Sequence, residues 1–325
     1  MVIDRQIQVR KRLLRISVFC ITFYVMLCTG CVHRSPFVSL EETYFQAMGD
    51  PAEFVLTVDM EKAQPLYADA AGAMQGVAAD MVGKAERISV ALHRQEPETE
   101  EDALDLPYPA ELSSFDLYGG IEGDYSKFII NTALMYAKNF TTLYEGDVKY
   151  FKSNDGGFSL GMPKNGLILF SSDDWKTVYQ KTWADRQLRI PVDMAARMEG
   201  SVLGIYVSSP RTMISLGFDI PITVVLQMDE ALFLVSYDEQ DRPVLDASLK
   251  MKSSKLANSL SMLIRSQYVA QLRRDGVQFN MSELKDLFVT NEEFFIINSM
   301  PLTTTQLESV TASFDSLLQN LGGLM

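Results

Sequence analysis

The sequence predicts an α+β fold, with antiparallel or mixed sheets packed against amphipathic helices. Three observations carry this. Short β-branched and aromatic runs recur along the chain, bounded by glycine, proline, asparagine or aspartate. Longer stretches space their apolar residues at three and four, the period of a helix buried on one side. Hydrophobic residues make up 47% of the chain and charged residues 22%, the balance of a sequence that can bury a core.

Taken in order, residues 54–59 form a compact β-branched strand. Leu66, Ala70, Ala73, Met74, Val77 and Met81 then fall on one face of a helix. Residues 88–92 are a strand, followed by an acidic, proline-rich loop over 96–110 whose clustered like charges keep it solvated. Residues 115–121 are a strand. Phe128, Thr132, Met135, Tyr136, Phe140 and Leu143 read as the core-facing stripe of a helix. Residues 148–151 and 158–160 pair as a hairpin about Asn154, Asp155, Gly156 and Gly157, and residues 167–170 close the first half. A connection over 183–200 holds a short helix near 192–198. Strands follow at 202–207, 222–227, 232–237 and 244–251, with turns at Asp229 and Glu230 and at 238–241. Leu256, Leu260, Leu263, Ile264 and Tyr268 mark another helix, residues 294–297 another strand. Leu307, Val310, Phe314, Leu317, Leu318 and Leu321 mark a last helix, opened by a capping box at 303–306.

The two halves rhyme. Residues 117–128 align without gaps on 245–256, matching Ile121 with Leu249, Ser126 with Ser254 and Lys127 with Lys255. Residues 167–171 align on 295–299, and both blocks lie 128 positions apart. Residues 88–92 resemble 222–226. The pattern reads as two copies of a strand–helix–strands–helix unit, 51–185 and 186–325, which pack as two units or as one body.

The N-terminus carries a different message. Arg5, Arg10, Lys11, Arg12 and Arg15 precede an apolar run over 16–27, too short to span a bilayer and ordered as a secretory signal is. It ends at Cys28, Thr29, Gly30 and Cys31. Leu27 and the small pair Thr29 and Gly30 before Cys31 resemble the lipobox of bacterial lipoproteins, with Cys28 in place of the usual leucine three positions before the cysteine. The resemblance implies cleavage after Gly30, a diacylglyceryl thioether on Cys31 and acylation of the new N-terminus. Residues 1–30 are then the signal peptide and 31–50 a lipidated tether. Two or more acyl chains hold a protein stably on a leaflet, where one does so marginally. The expected location is the cell envelope, with the membrane as partner through the anchor.

Composition narrows the function further. The chain carries −13, and residues 1–30 hold five basic side chains and one acidic, so the body carries −17. Such a body repels nucleic acid, which is excluded as a partner, and repels anionic lipid surfaces. Arg265, Arg273 and Arg274 are the one dense basic cluster and fit the polar face of a helix. All three cysteines lie at or before Cys31, so a disulfide scaffold or cysteine metal site is not expected in the body. With His33 beside the anchor and His93 at a strand end, no histidine-based site is expected either. Of the carboxylate pairs Glu122 with Asp124 and Asp173 with Asp174, Asp124 and Asp173 read as N-cap or first-turn groups, and neither pair reads as an acid–base pair. Gly119, Gly120 and Gly123 lack the ending of a phosphate loop. No catalytic residue, metal or cofactor is expected. The expected function is a non-catalytic interaction or structural protein that presents an apolar patch or unpaired strand to other envelope proteins. The alternative is a carrier of lipid or another apolar ligand.

Overall fold

The computed structural model describes residues 44–49, 52–64, 83–94, 115–154, 156–172, 174–180, 183, 190–215, 221–274, 276 and 280–302. The signal and Cys31, the stripe from Leu66 to Met81, the acidic loop at 96–110 and the C-terminal helix after 302 lie outside the described residues.

The strands are β1 (Phe54–Asp59), β2 (Ala85–Arg94), β3 (Phe115–Gly123), β4 (Phe140–Glu145), β5 (Val148–Ser153), β6 (Ser159–Lys164), β7 (Leu167–Ser171), β8 (Leu203–Val207), β9 (Met228–Tyr237), β10 (Pro243–Met251), β11 (Phe288–Asn291) and β12 (Phe294–Pro301). They form one sheet in the order β11-β12-β10-β9-β8-β1-β2-β3-β7-β6-β5-β4. Every pairing is antiparallel, so of the two expected sheet types the antiparallel one is found. Both halves of the chain share this sheet: β1 pairs with β2 on one side and with β8 on the other.

Alternation puts successive side chains on opposite faces. Phe54, Leu56 and Val58 of β1, Ile88, Val90 and Leu92 of β2, and Ile168 and Phe170 of β7 join one core. Val55, Ala91, Leu167 and Leu169 join the other. The first core is covered by α1 (Lys127–Tyr136), α6 (Ser254–Arg274) and α7 (Met281–Leu287). The second is covered by a 3-10 turn (Tyr44–Gly49), α2 (Trp175–Tyr179) and α3 (Val192–Gly200). Two short helices, α4 (Thr212–Ser215) and α5 (Ile222–Val225), join β8 to β9.

Particular residues explain this layering. Gly119 and Gly120 do structural work: a Cβ on Gly119 would lie 1.9 Å from the Phe170 ring, and one on Gly120 would lie 2.7 Å from Tyr44. Trp175 is fully buried between the rings of Tyr150 and Tyr179, and its indole N–H donates to the Leu169 carbonyl at 3.1 Å. Arg87 is buried in the middle of the sheet with its hydrogen bonds made. It donates to Thr57 Oγ1 at 3.2 Å and to the Glu199 carbonyl at 3.0 Å, so it also caps the negative end of α3. Burial raises the Glu199 carboxyl above its ordinary value, with Arg87 and Lys62 opposing.

Several expectations need correction. Residues 222–225 are helical, because Pro221 opens a turn that Val225 plugs into the core. The strand begins at Met228. Asp229 and Glu230 therefore lie within β9 rather than in a turn, and the likeness of 222–226 to 88–92 joins a helix to a strand. Ser126, not Asp124, caps α1, and Asp174, not Asp173, caps α2. His93 lies at a strand end as expected, at the end of β2, and there it is buried with its ring 4.2 Å from that of Tyr118. Phe140 and Leu143 belong to β4 and not to the preceding helix.

Candidate interaction surface

The stripe read as the core face of a helix is where the structure departs furthest from expectation. The helix exists, and local chemistry sets its ends. Ser126 Oγ accepts from the Ile129 N–H, the Lys127 N–H donates to Asn165 Oδ1 at 2.9 Å, and Lys127 Nζ donates to the Pro163 carbonyl at 3.0 Å. At the other end the Ala137 N–H returns to the Leu134 carbonyl.

Its orientation is the reverse of the expected one. Ile130 and Leu134 face the sheet, while Phe128 (78% exposed), Ile129 (58%), Met135 (45%) and Tyr136 (78%) face outward. No residue of α1 is fully buried. The helix is apolar on both sides, and only the side of Ile130 and Leu134 packs on the core.

Beside this helix lies β4, at the end of the sheet. Among the described residues it pairs with β5 alone. Its register runs unbroken from Phe140↔Ser153 to Glu145↔Val148, closing on a two-residue loop in which Gly146 takes φ +56°. Asn154 pins the turn between α1 and β4. Its side-chain amide donates to the Lys138 carbonyl at 2.9 Å, its Oδ1 lies 2.9 Å from Thr141 Oγ1, and its N–H donates to the Asn139 carbonyl at 2.9 Å.

Helix and strand present one continuous face. Tyr144 is 63% exposed, Lys149 Nζ lies 5.8 Å from its ring centroid, and the same Nζ lies 3.9 Å from Met135 Sδ. At the strand's end Lys176 Nζ is 3.2 Å from a Glu145 carboxylate oxygen. The hydrogen bond and charge of Glu145 hold the Lys176 pKa above its ordinary value. The exposed apolar side chains of α1 and Tyr144 thus lie on or beside an edge strand of the sheet.

The other candidate groups do not gather into a site. Glu122 lies across from Arg87 in the β2–β3 register, Asp124 is exposed before α1, and Asp173 is outside the described residues. Arg265 donates to the Phe288 carbonyl at 2.8 Å and so ties α6 to β11, while Arg273 and Arg274 sit in the last turn of α6, where positive charge suits the helix dipole. Met213 and Met251 are core residues, and Met262 is exposed like Met135. Among the described residues no three His, Cys, Asp or Glu side chains gather as a metal site requires, and no helix is long and apolar enough to cross a membrane.

No protein-family model and no curated protein matches the chain. In fold it is similar to TP0453 of Treponema. Against crystal form I the TM-score is 0.55 at 10% identity, covering 86% of this chain and 98% of that one. Crystal form IV gives a TM-score of 0.55 at 11% identity, covering 83% and 96%. Crystal form III gives a TM-score of 0.52 at 9% identity, covering 85% and 99%.

Proposed function

We propose that this protein is a lipid-anchored, non-catalytic interaction protein of the bacterial cell envelope, and that it meets its partner with the outer face of α1 and the β4 edge. The observation that carries the reading is an apolar helix face turned to solvent beside an edge strand that, among the described residues, pairs on one side only. Residues 1–30 serve as signal and are removed. Acyl chains on Cys31 hold the body at one leaflet, where a tethered surface meets envelope partners at high effective concentration.

Two measurements test this. Intact-mass analysis of membrane-extracted protein should show a chain beginning at Cys31 and carrying diacylglyceryl and acyl groups, and Cys31→Ala should release the body from the membrane. An unmodified Cys31 thiol or a retained leader refutes the anchor. A photo-crosslinker placed at Tyr136 should react with another protein in the intact envelope, while one at the buried Trp175 should not. Reaction with co-purifying lipid alone would favour the carrier reading.

We also infer that the body is an internal duplication. Counting outward from the β1–β8 pair, one side runs β1, β2, β3, then β7, and the other runs β8, β9, β10, then β12. The aligned blocks fall on equivalent places in these two runs: 117–128 carries β3 into α1, and 245–256 carries β10 into α6. Residues 167–171 and 295–299 fall on the strands beside β3 and β10. The first half then differs by the β4–β5 hairpin at its outer end. If the copies are real, deleting 138–154 and bridging the gap with a short loop should leave a folded chain with a cooperative melt. Loss of the cooperative transition counts against it.

A further inference from the structure

We infer that the partner at this surface is a second copy of the chain, joined edge to edge through β4 about a two-fold axis at Thr142. The inference rests on the proposed role of α1 and β4 as an interaction surface and names its occupant.

The edge itself asks for a strand. The outer backbone N–H and C=O groups of β4 have no strand partner among the described residues, and β4 carries none of the devices that blunt an edge: its six residues include no proline, no lysine and no bulge. A lipid surface can cover apolar side chains but leaves such backbone groups unpaired. An added strand satisfies them.

The strand is also complementary to itself. In an antiparallel pairing centred on Thr142, that residue faces its own counterpart, and Tyr144 faces Phe140 of the second copy. On the opposite face Thr141 meets Leu143. Threonine and aromatic pairs are favourable cross-strand neighbours. No like charges fall opposite one another, since Glu145 lies across from Asn139, one residue from Lys138 of the second copy. The two-fold keeps both α1 helices on the same side of the joined sheet, each next to the seam.

Charge points to the same place. Two bodies of −17 repel, yet residues 125–153 hold four lysines (Lys127, Lys138, Lys149, Lys152) against two carboxylates (Glu145, Asp147). The β4 end is thus where an otherwise acidic molecule can approach its own copy without stacking like charge on like. The opposite end of the sheet is guarded, because β11 is four residues long and Arg265 of α6 occupies its Phe288 carbonyl.

The test uses the full chain. Thr142→Cys should form a 142–142 disulfide on mild oxidation, recovered as a linked peptide by mass mapping, while Thr290→Cys on the other edge should not. Analytical ultracentrifugation of the unsubstituted protein should show a dimer. Thr142→Lys, which sets lysine against lysine across the axis, should weaken dimerisation at least tenfold without changing circular dichroism or melting temperature, and Tyr144→Lys should act in the same direction. A protein that stays monomeric at tens of micromolar, or a dimer indifferent to Thr142→Lys, overturns the inference. The two readings fail separately. A crosslinker at Tyr136 that captures a different envelope protein while the chain is monomeric removes the dimer and leaves the interaction surface standing. Silence at Tyr136 and Tyr144 removes both.

Discussion

The two edges of the sheet are built in opposite ways. At one, β11 is short, Phe288 is buried against Phe295 and Tyr268, Arg265 takes the Phe288 carbonyl, and Thr290 Oγ1 lies 3.0 Å from Asn258 Oδ1 of α6. At the other, β4 is longer, and α1 touches the sheet through Ile130 and Leu134 while turning Phe128 and Tyr136 outward. Each edge has a helix lying over it. The difference is that α6 sets polar side chains on its edge strand, whereas among the described residues no strand pairs with the outer side of β4. One edge is tied down by polar side chains, and the other has exposed apolar side chains beside it.

Substitutions at the two edges should separate these roles. Phe288→Ala empties a fully buried site, and a loss of about 3–5 kcal/mol is expected from chemical denaturation. A loss below about 1 kcal/mol would mean that β11 is not welded to the core in this way. Arg265→Ala removes the donor from the Phe288 carbonyl and should lower stability by about 1–3 kcal/mol. Hydrogen exchange at β11 should rise with it, and unchanged exchange would sever the link between α6 and that edge.

Asn154→Ala should remove about 1 kcal/mol, because it deletes the side-chain bonds that pin the turn before β4. The loss should appear as faster exchange in 138–145. By contrast, Phe128→Ser and Tyr136→Ser should each change stability by less than about 0.5 kcal/mol, since both side chains already lie in water. Their effect should fall on association instead. A large destabilisation would show that something in the folded chain covers them.

The smallest effect should be a pH dependence at the end of β4. The Lys176 pKa is raised by its hydrogen bond to Glu145, so the folded form holds this proton more tightly than the unfolded one. That contribution is present below the ordinary lysine value of 10.5 and is lost as pH rises through the higher folded value. Glu145→Gln should abolish the dependence in hydrogen exchange at β4. Persistence of the same dependence would assign it to another group.

Legibility from sequence followed the kind of signal. Strands such as β1 and β7 were readable because apolar residues fill both faces of a doubly covered sheet. The β5–β6 hairpin was readable from Asn154 to Gly157, and α6 from its periodicity. The strand β4 was missed because Phe140 and Leu143 continue a helical spacing from Phe128, and a run of six residues fits either period. The error at 222–227 has the same form: β-branched residues suggested a strand where Pro221 set a turn. The exposed apolar face of α1 left a trace in the sequence, since α1 carries more apolar residues than one buried face can use. Nothing in that trace told which side would be buried.

By itself the sequence determined the α+β class, the acidic and cysteine-poor body, and most places where the chain changes from strand to helix. These depend on local spacing and on the chemistry of single residues. Tertiary structure decided that both halves share one sheet, that a buried arginine caps α3, and that α1 turns its richer apolar side to water. Those outcomes depend on which surfaces meet after distant segments pair, and periodicity marks a face as apolar without saying what it will touch.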